Sequence, residues 1–149
     1  MTTNYGFIGL GAMGMPMAQN IRQKASSKSI MYIFDVHTPF CEKFLVEYSS
    51  HGPIEICSSA RGVAEKADVI ISIVPAASHV RTVYLDKKDG IIAAVADKSR
   101  LMLECSTIDA NTAREVGETL AEAGSGTYVD TPVSVSILAF GIIKSVRLI

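Results

Sequence analysis

Three glycines stand where an apolar strand passes into a helix near the start of the chain. The segment is GFIGLGAMGMPMAQNI, residues 6–21, and its glycines are Gly9, Gly11 and Gly14. A tight strand-to-helix turn needs one or two residues without a Cβ, because glycine permits backbone angles and close approaches that other residues do not. The G-x-G-x-x-G spacing uses all three: one makes the turn, one lets the backbone approach a diphosphate, and one lets helix and strand pack closely. The segment therefore predicts a strand–turn–helix unit with a phosphate-binding helix N-terminus.

Short apolar segments alternate with segments of helical spacing along the whole chain. We predict strands at 5–8, 30–34, 54–57, 69–75, 101–105 and 127–130. Between them we predict helices at 13–23, 39–48, 59–64, 78–84 and 109–123, with further helical turns at 90–96. This alternation predicts an α/β fold, a Rossmann-type doubly wound parallel sheet with right-handed crossovers. Ligands of such sheets bind beyond the carboxyl ends of the strands, so the residues just after each strand are the informative ones.

Composition limits the classes of function. The 149 residues are 48% apolar and 19% charged, which is typical of a globular protein rather than a disordered chain. The formal net charge of −1 and the lack of a basic stripe argue against nucleic-acid partners and against an anionic membrane surface. The longest late apolar run, VSILAFGII, is far shorter than the roughly 20 residues of a membrane span, and the first residues leave no room for a signal-type leader. We expect a cytoplasmic protein, or a mitochondrial matrix protein if a targeting segment was removed.

Three cysteines lie far apart, at positions 41, 57 and 105. An odd number with this spacing predicts neither a disulfide framework nor a zinc site, so we expect buried, reduced thiols. The three histidines are expected to face solvent, and they form no Ser-His-acid arrangement and no metal-ligand spacing.

An acidic residue follows the second predicted strand. Asp35 stands about 20 residues after Gly14, where a dinucleotide-binding unit places the carboxylate that binds the adenosine ribose. A carboxylate there accepts hydrogen bonds from both ribose hydroxyls and repels a 2′-phosphate, and residues 36–38 include no arginine to neutralise one. We therefore expect NAD rather than NADP. The alternative is that Asp35 only caps the helix near Pro39.

Small and hydroxylated residues stand at the end of the fourth predicted strand and after the fifth. Val74 and Pro75 lead into two alanines, whose small side chains leave room for a cofactor, although an ordinary strand-to-helix turn would look the same. Ser106 and Thr107 are candidates to offer hydroxyls to a cofactor or substrate. Thr107 and Asp109 are equally suited to capping the following helix.

Four segments together carry a resemblance to a known family. They are FIGLGAMGMPMAQNI, ADVIISIVP, ECSTIDANTAREV and YVDTPVS. With them the chain resembles the cofactor domain of the β-hydroxyacid dehydrogenases, which include 3-hydroxyisobutyrate dehydrogenase and relatives of 6-phosphogluconate dehydrogenase. The 3-hydroxyisobutyrate branch fits best, because Asp35 resembles the acid of its NAD-dependent members. The resemblance covers residues 4–134 and implies an NAD(P)-binding Rossmann domain at residues 1–134.

The resemblance implies a role for each matching residue. The diphosphate would be held by the loop Gly9, Leu10, Gly11, Ala12, Met13 and Gly14. Asp35 would bind the adenosine ribose, and Val74 and Pro75 would line the nucleotide. Thr107 would contact the cofactor near the nicotinamide, and Ser134 would bind the substrate.

The sequence departs from the family pattern after Ser134. The family continues with two glycines, whose amides help to bind the substrate, and then with a long interdomain helix that carries a catalytic lysine and a nearby asparagine. Here Val135 and Ser136 begin a divergent apolar tail, residues 135–149, and Lys144 lies too close to the loop to be that lysine. We therefore expect the family's C-terminal helical domain to be absent. No residue is assigned as catalytic or as a metal ligand, and the chain alone is expected to be inactive.

The tail leaves two interpretations open. In the first, a truncated or misassembled reading frame supplies only the cofactor domain, and NAD-dependent oxidation of a small 3-hydroxy acid to its semialdehyde belongs to the full-length relatives. In the second, the chain is a non-catalytic NAD-binding module that docks a partner or a second copy through its tail, because exposed apolar area marks an interface. The tail would otherwise pack back on its own sheet. FAD or S-adenosylmethionine on the same architecture is a further alternative.

Overall fold

The computed structural model describes residues 2–133, and these residues form one parallel sheet with connecting helices. The strands are β1 Tyr5–Ile8, β2 Met31–Phe34, β3 Ile54–Ile56, β4 Val69–Ser72, β5 Leu101–Glu104 and β6 Thr127–Asp130. The helices are α1 Gly14–Lys24, α2 Thr38–Tyr48, α3 Ala60–Ala64, α4 Ala77–Leu85 and α5 Ala110–Glu122, with 3₁₀ turns at Ser49–His51 and Ile91–Ala93. Ser134 and the tail at residues 135–149 lie outside the described residues.

The order of the strands is β3-β2-β1-β4-β5-β6, and each neighbouring pair is parallel. In the register of the central strand, Tyr5 lies opposite Met31 of β2 and opposite Val69 of β4. The chain first builds outward from β1 to β3, then crosses to β4 and builds outward to β6. This reversal leaves a crevice beyond the carboxyl ends of β1 and β4, where ligands of such sheets bind. The predicted doubly wound Rossmann-type sheet is confirmed.

Helices cover both faces of the sheet, and each face has its own apolar core. On one face, Met17 and Ala18 of α1 and Phe44 of α2 pack against Phe7 and Ile33. The core of the other face joins α3, α4 and α5 to the sheet, through residues that include Val63, Val80, Val116, Ile70 and Met102. The continuous apolar runs of the inner strands are explained by this burial on both faces.

Strand β4 is shorter than predicted. We predicted a strand over residues 69–75, but β4 ends at Ser72, which lies opposite the last residues of its neighbours, Ile8 and Glu104. Beyond that point only the amide of Ile73 still reaches the sheet, through a 3.0 Å bond to the carbonyl of Ile8. The prediction was wrong because β-branched residues favour a strand only while a neighbouring strand remains to pair with them. Residues 73–75 instead form a loop beside the crevice.

A buried arginine connects loops at the end of the sheet opposite the crevice, where β2 and β3 begin. Arg22 is 1% exposed and donates hydrogen bonds to the carbonyls of Ser26, Ser29 and Pro53 at 2.6, 2.7 and 3.2 Å. Burial lowers the pKa of this guanidinium. These carbonyls precede β2 and β3, so Arg22 fixes the loops at the end of the sheet away from the crevice.

The three cysteines are buried and free, as predicted. Burial raises the pKa of the Cys41 thiol to about 11. Within residues 2–133, no helix combines the length and the apolar character that crossing a membrane requires.

Candidate functional site

The glycine loop occupies the turn between β1 and α1, and two of its glycines are required by the fold itself. Gly9 has φ of +98°, and a Cβ built on it would lie 2.0 Å from the carbonyl oxygen of Ile73. A Cβ on Gly14 would lie 1.8 Å from the carbonyl oxygen of Gly9. Gly9 therefore makes the turn, and Gly14 permits close contact between the helix and the loop, as the spacing predicted.

Gly11 has a different environment, because the fold does not require a glycine there. A Cβ on Gly11 would meet nothing within 4 Å, and the residue is exposed on the wall of a cleft. Within residues 2–133, the amides of Gly11, Ala12 and Met13 donate to no protein acceptor, and no side chain caps α1. Unpaired amides at the positive end of a helix dipole bind anions such as phosphate. Gly11 thus leaves room for an anionic group beside free donors.

Asp35 joins the end of β2 to the glycine loop. Its Oδ2 accepts a 2.7 Å hydrogen bond from the amide of Leu10, and its Oδ1 accepts a 2.7 Å bond from the amide of His37. The amide of Gly9 also donates to the carbonyl of Phe34 at 3.0 Å. A carboxylate has about four lone-pair sites, so each oxygen of Asp35 retains capacity for a further donor. The carboxylate is therefore both an anchor for the loop and an acceptor at the cleft.

A cleft of about 660 Å³ lies beyond the carboxyl ends of the strands, within the size range of sites for small molecules and cofactors. Most of the predicted site residues line it together: Gly9, Gly11, Ala12, Met13, Gly14, Asp35, Val74 and Pro75. Segments that are far apart in the chain thus meet at one site. The crevice predicted from the topology is present.

Other predicted site residues are placed elsewhere. Leu10 is 1% exposed with its side chain in the core, and its amide is already bonded to Asp35. Thr107 is exposed but does not line the cleft. The capping alternative is correct for Asp109, whose Oδ1 accepts a 2.8 Å bond from the amide of Thr112 at the start of α5.

Sequence reasoning missed part of the cleft wall. The missed residues include Ser58 after β3, Phe40 on α2, and Thr82 and Asp86 on and after α4. Ser58 follows a predicted strand, so the rule that located Asp35 also applied to it. The residues on α4 carried no such signal, because only the fold shows which face of that helix meets the cleft. Among the described residues that line the cleft, none is a lysine or an arginine.

A buried acid lies at the end of β5. Glu104 is 0% exposed, its Oε1 accepts a 2.7 Å bond from the amide of Ser106, and its Oε2 accepts a bond from the hydroxyl of Ser72. Burial raises the pKa of Glu104 and outweighs these hydrogen bonds, which lower it. The hydroxyl of Ser106 accepts a 2.8 Å bond from the amide of Val74, so it is engaged within the protein. This arrangement could not be predicted from a local pattern, because Ser72 and Glu104 stand 32 residues apart.

Comparison with known proteins agrees with this geometry. A family described as the NAD binding domain of 6-phosphogluconate dehydrogenase matches residues 4–137. The chain belongs to this family. It is similar to the N-terminal part of 3-hydroxyisobutyrate dehydrogenases, and the predicted cofactor-domain family is confirmed.

Individual proteins are similar over most of the chain. A 3-hydroxyisobutyrate dehydrogenase of Pseudomonas aeruginosa is 42% identical over 132 residues, which are 89% of this chain and 41% of the relative. An NAD-dependent L-serine dehydrogenase of the same organism is 38% identical over 128 residues, 86% of this chain and 39% of the relative. A structure of the Mycobacterium tuberculosis 3-hydroxyisobutyrate dehydrogenase with L-serine superposes with a TM-score of 0.72 at 29% identity, and covers 93% of this chain and 43% of that one. The chain thus spans about two-fifths of the length of these relatives.

Proposed function

We propose that the cleft binds NAD with the diphosphate at the start of α1. The observation that carries the proposal is the group of unpaired amides of Gly11, Ala12 and Met13 beside a glycine that the fold does not require. A diphosphate would satisfy those donors and would be stabilised by the dipole of α1. A side chain at position 11 would stand in its way, which explains a glycine at a position with open space.

The surroundings of Asp35 favour NAD over NADP. The carboxylate retains lone pairs for the two hydroxyls of the adenosine ribose, because its protein partners, Leu10 and His37, use one site on each oxygen. A 2′-phosphate would instead meet a negative charge. The described residues of the cleft wall supply no lysine or arginine to neutralise it, and they add the acids Asp86 and Asp89.

The sheet order supports one direction for the bound cofactor. Asp35 marks the adenosine end at β2, and the glycine loop marks the diphosphate at β1. The nicotinamide half therefore extends across the ends of β4 and β5, past Val74 and Pro75. Thr107 follows β5, and we assign it to the rim near the nicotinamide.

Oxidation of a small 3-hydroxy acid to its semialdehyde, in which the hydroxy acid gives its C–H hydride to NAD and releases its hydroxyl proton, is the activity we propose for a protein in which a second domain completes this site. NAD supplies the hydride acceptor in that chemistry. The residues of this chain bind and orient it, and Ser134 is the residue to which we assign substrate binding. We assign no catalytic residue within the chain. The docking alternative concerns residues 135–149, which lie outside the described residues.

Titration of the purified chain with NADH and with NADPH, followed by nicotinamide fluorescence, tests the proposal. We expect saturable binding of NADH and binding of NADPH at least about tenfold weaker, which corresponds to about 1.4 kcal/mol. The variant Asp35→Asn keeps an acceptor oxygen but loses the charge, so the preference for NADH should shrink. Equal affinity of the wild-type chain for the two nucleotides would refute the assigned role of Asp35. Lack of saturation by either would refute the cleft as a dinucleotide site.

A further inference from the structure

A continuous chain of hydrogen bonds runs beneath the cleft from α4 to the loop after β4. It starts at the hydroxyl of Tyr84, which is 2.5 Å from the hydroxyl of Ser72, and Ser72 donates to Glu104. Glu104 then accepts from the amide of Ser106 at 2.7 Å, and the hydroxyl of Ser106 accepts from the amide of Val74 at 2.8 Å. Tyr84, Ser72, Glu104 and Ser106 are each exposed by 2% or less.

The last bond of this chain joins the two loops that the nicotinamide half of the cofactor would pass. Val74 lies in the loop between β4 and α4 and lines the cleft, whereas Ser106 lies in the loop between β5 and α5. The amide of Val74 has no neighbouring strand to bond with, since β4 has already ended at Ser72. Ser106 therefore fixes the position of Val74 relative to β5, and Glu104 fixes Ser106 through its amide.

Ending β5 with a buried acid has a cost in free energy. Taking a carboxylate out of water costs free energy unless it is fully hydrogen-bonded, and an apolar residue at position 104 would avoid that cost. Glu104 nevertheless satisfies the Ser72 hydroxyl and the Ser106 amide at the same time, which an aliphatic side chain cannot do. Glu104 therefore joins the end of β4 to the loop after β5, at the carboxyl ends of the strands and next to the cleft.

We propose that Glu104 is a positioning residue for the nicotinamide half of the cofactor, acting through Ser106 on the loop that contains Val74. The proposal rests on the proposed binding of NAD. Glu104 should affect the binding of the nicotinamide half of NAD and not the binding of the adenosine-diphosphate half. The adenosine and diphosphate contacts, at Asp35 and the glycine loop, involve neither Glu104 nor Ser106.

Comparing the binding of two ligands, ADP and NADH, separates the contributions of the two halves of the cofactor. ADP carries the adenosine and diphosphate but lacks the nicotinamide riboside, whereas NADH carries both. Calorimetric titration of the full chain with each ligand should show that Glu104→Met and Ser106→Ala weaken NADH binding by roughly three- to tenfold, the effect of one lost hydrogen bond. The affinity for ADP should change by less than about twofold. Either variant alone suffices if the other fails to fold.

Two further variants distinguish positioning from general stability. Glu104→Gln keeps an acceptor for the Ser106 amide and a donor for Ser72, so it should restore NADH affinity to the wild-type value. Tyr84→Phe removes a buried hydroxyl and lowers thermal stability, but it leaves the bonds between Glu104, Ser106 and Val74 in place, so its NADH affinity should be unchanged. The proposal is overturned if NADH and ADP weaken in parallel, if neither weakens, or if NADH affinity follows thermal stability across all four variants. A wild-type chain that binds neither ligand would instead refute the proposed function itself.

Discussion

Substituting alanine for Gly11 and for Gly14 distinguishes a glycine that the ligand requires from a glycine that the fold requires. We expect Gly11→Ala to abolish or strongly weaken NADH binding without destabilising the protein, and Gly14→Ala to destabilise the protein itself. The two substitutions add the same methyl group three residues apart. They differ because one methyl enters open space at the cleft, and the other meets a backbone carbonyl oxygen at 1.8 Å.

The expected changes in stability and in NADH affinity follow from the surroundings of the two glycines. At Gly11 the backbone angle lies outside the left-handed region, so alanine fits and should stabilise the fold by about 0.4–1 kcal/mol through the unfolded state. At Gly14 the contacted atom cannot rotate away, and overpacking of this kind costs roughly 1–3 kcal/mol or more. We expect the Gly11→Ala methyl to weaken NADH binding by at least about tenfold, or about 1.4 kcal/mol, because it holds the diphosphate away from the amides.

Urea denaturation followed by circular dichroism measures the free energy of unfolding, and fluorescence titration measures the affinity for NADH. Both are made on the wild-type chain and on the two variants. A Gly11→Ala protein that binds NADH as tightly as the wild type would refute the assignment of the diphosphate to this loop. A Gly14→Ala protein of wild-type stability would refute the steric argument for that glycine.

Three further predictions concern residues away from the ligand. Since the pKa of Glu104 is raised from 4.5, the folded state binds its proton more tightly than the unfolded state does. The wild type should therefore lose stability relative to Glu104→Gln as the pH rises from 4.5 through the folded pKa, and a pH-independent difference in urea midpoint would contradict this. Arg22→Met should cost about 1–3 kcal/mol in urea denaturation because it leaves the buried carbonyl of Ser29 without a donor, whereas Lys24→Met, exposed on the same helix, should cost little. The cysteines should react with a disulfide reagent at pH 8 far more slowly in the folded protein than in urea, because all three are buried; equal rates would show that the thiols are accessible.

Features that depend on neighbouring residues could be predicted from the sequence. The helical spacing of α5 and the apolar runs of β1 and β2 located those elements to within a residue or two, because burial on one helix face or on both sheet faces leaves a local pattern. The glycine spacing and Asp35 located the cleft for a similar reason, since the fingerprint is contained in about 30 residues.

Features that depend on contacts between distant segments could not be predicted. The end of β4 at Ser72 is set by where β1 and β5 end, and no residue of β4 records that limit. Glu104 gave no local sign of its partners, because Ser72 lies on another strand. Ser106 was a candidate to offer its hydroxyl to the cofactor or the substrate, but that hydroxyl accepts a bond from the amide of Val74. In each case the deciding contact joins residues more than 30 positions apart in the chain.

Amide chemical shifts of the ¹⁵N-labelled chain during titration with NAD show directly where the diphosphate binds. We predict saturable shifts for the amides of Gly11, Ala12 and Met13, with smaller shifts for His37 beside the ribose site. Arg22 and its neighbours, at the other end of the sheet, should be unaffected. Saturable shifts elsewhere in the protein with no change at residues 11–13 would contradict the placement of the diphosphate at the start of α1.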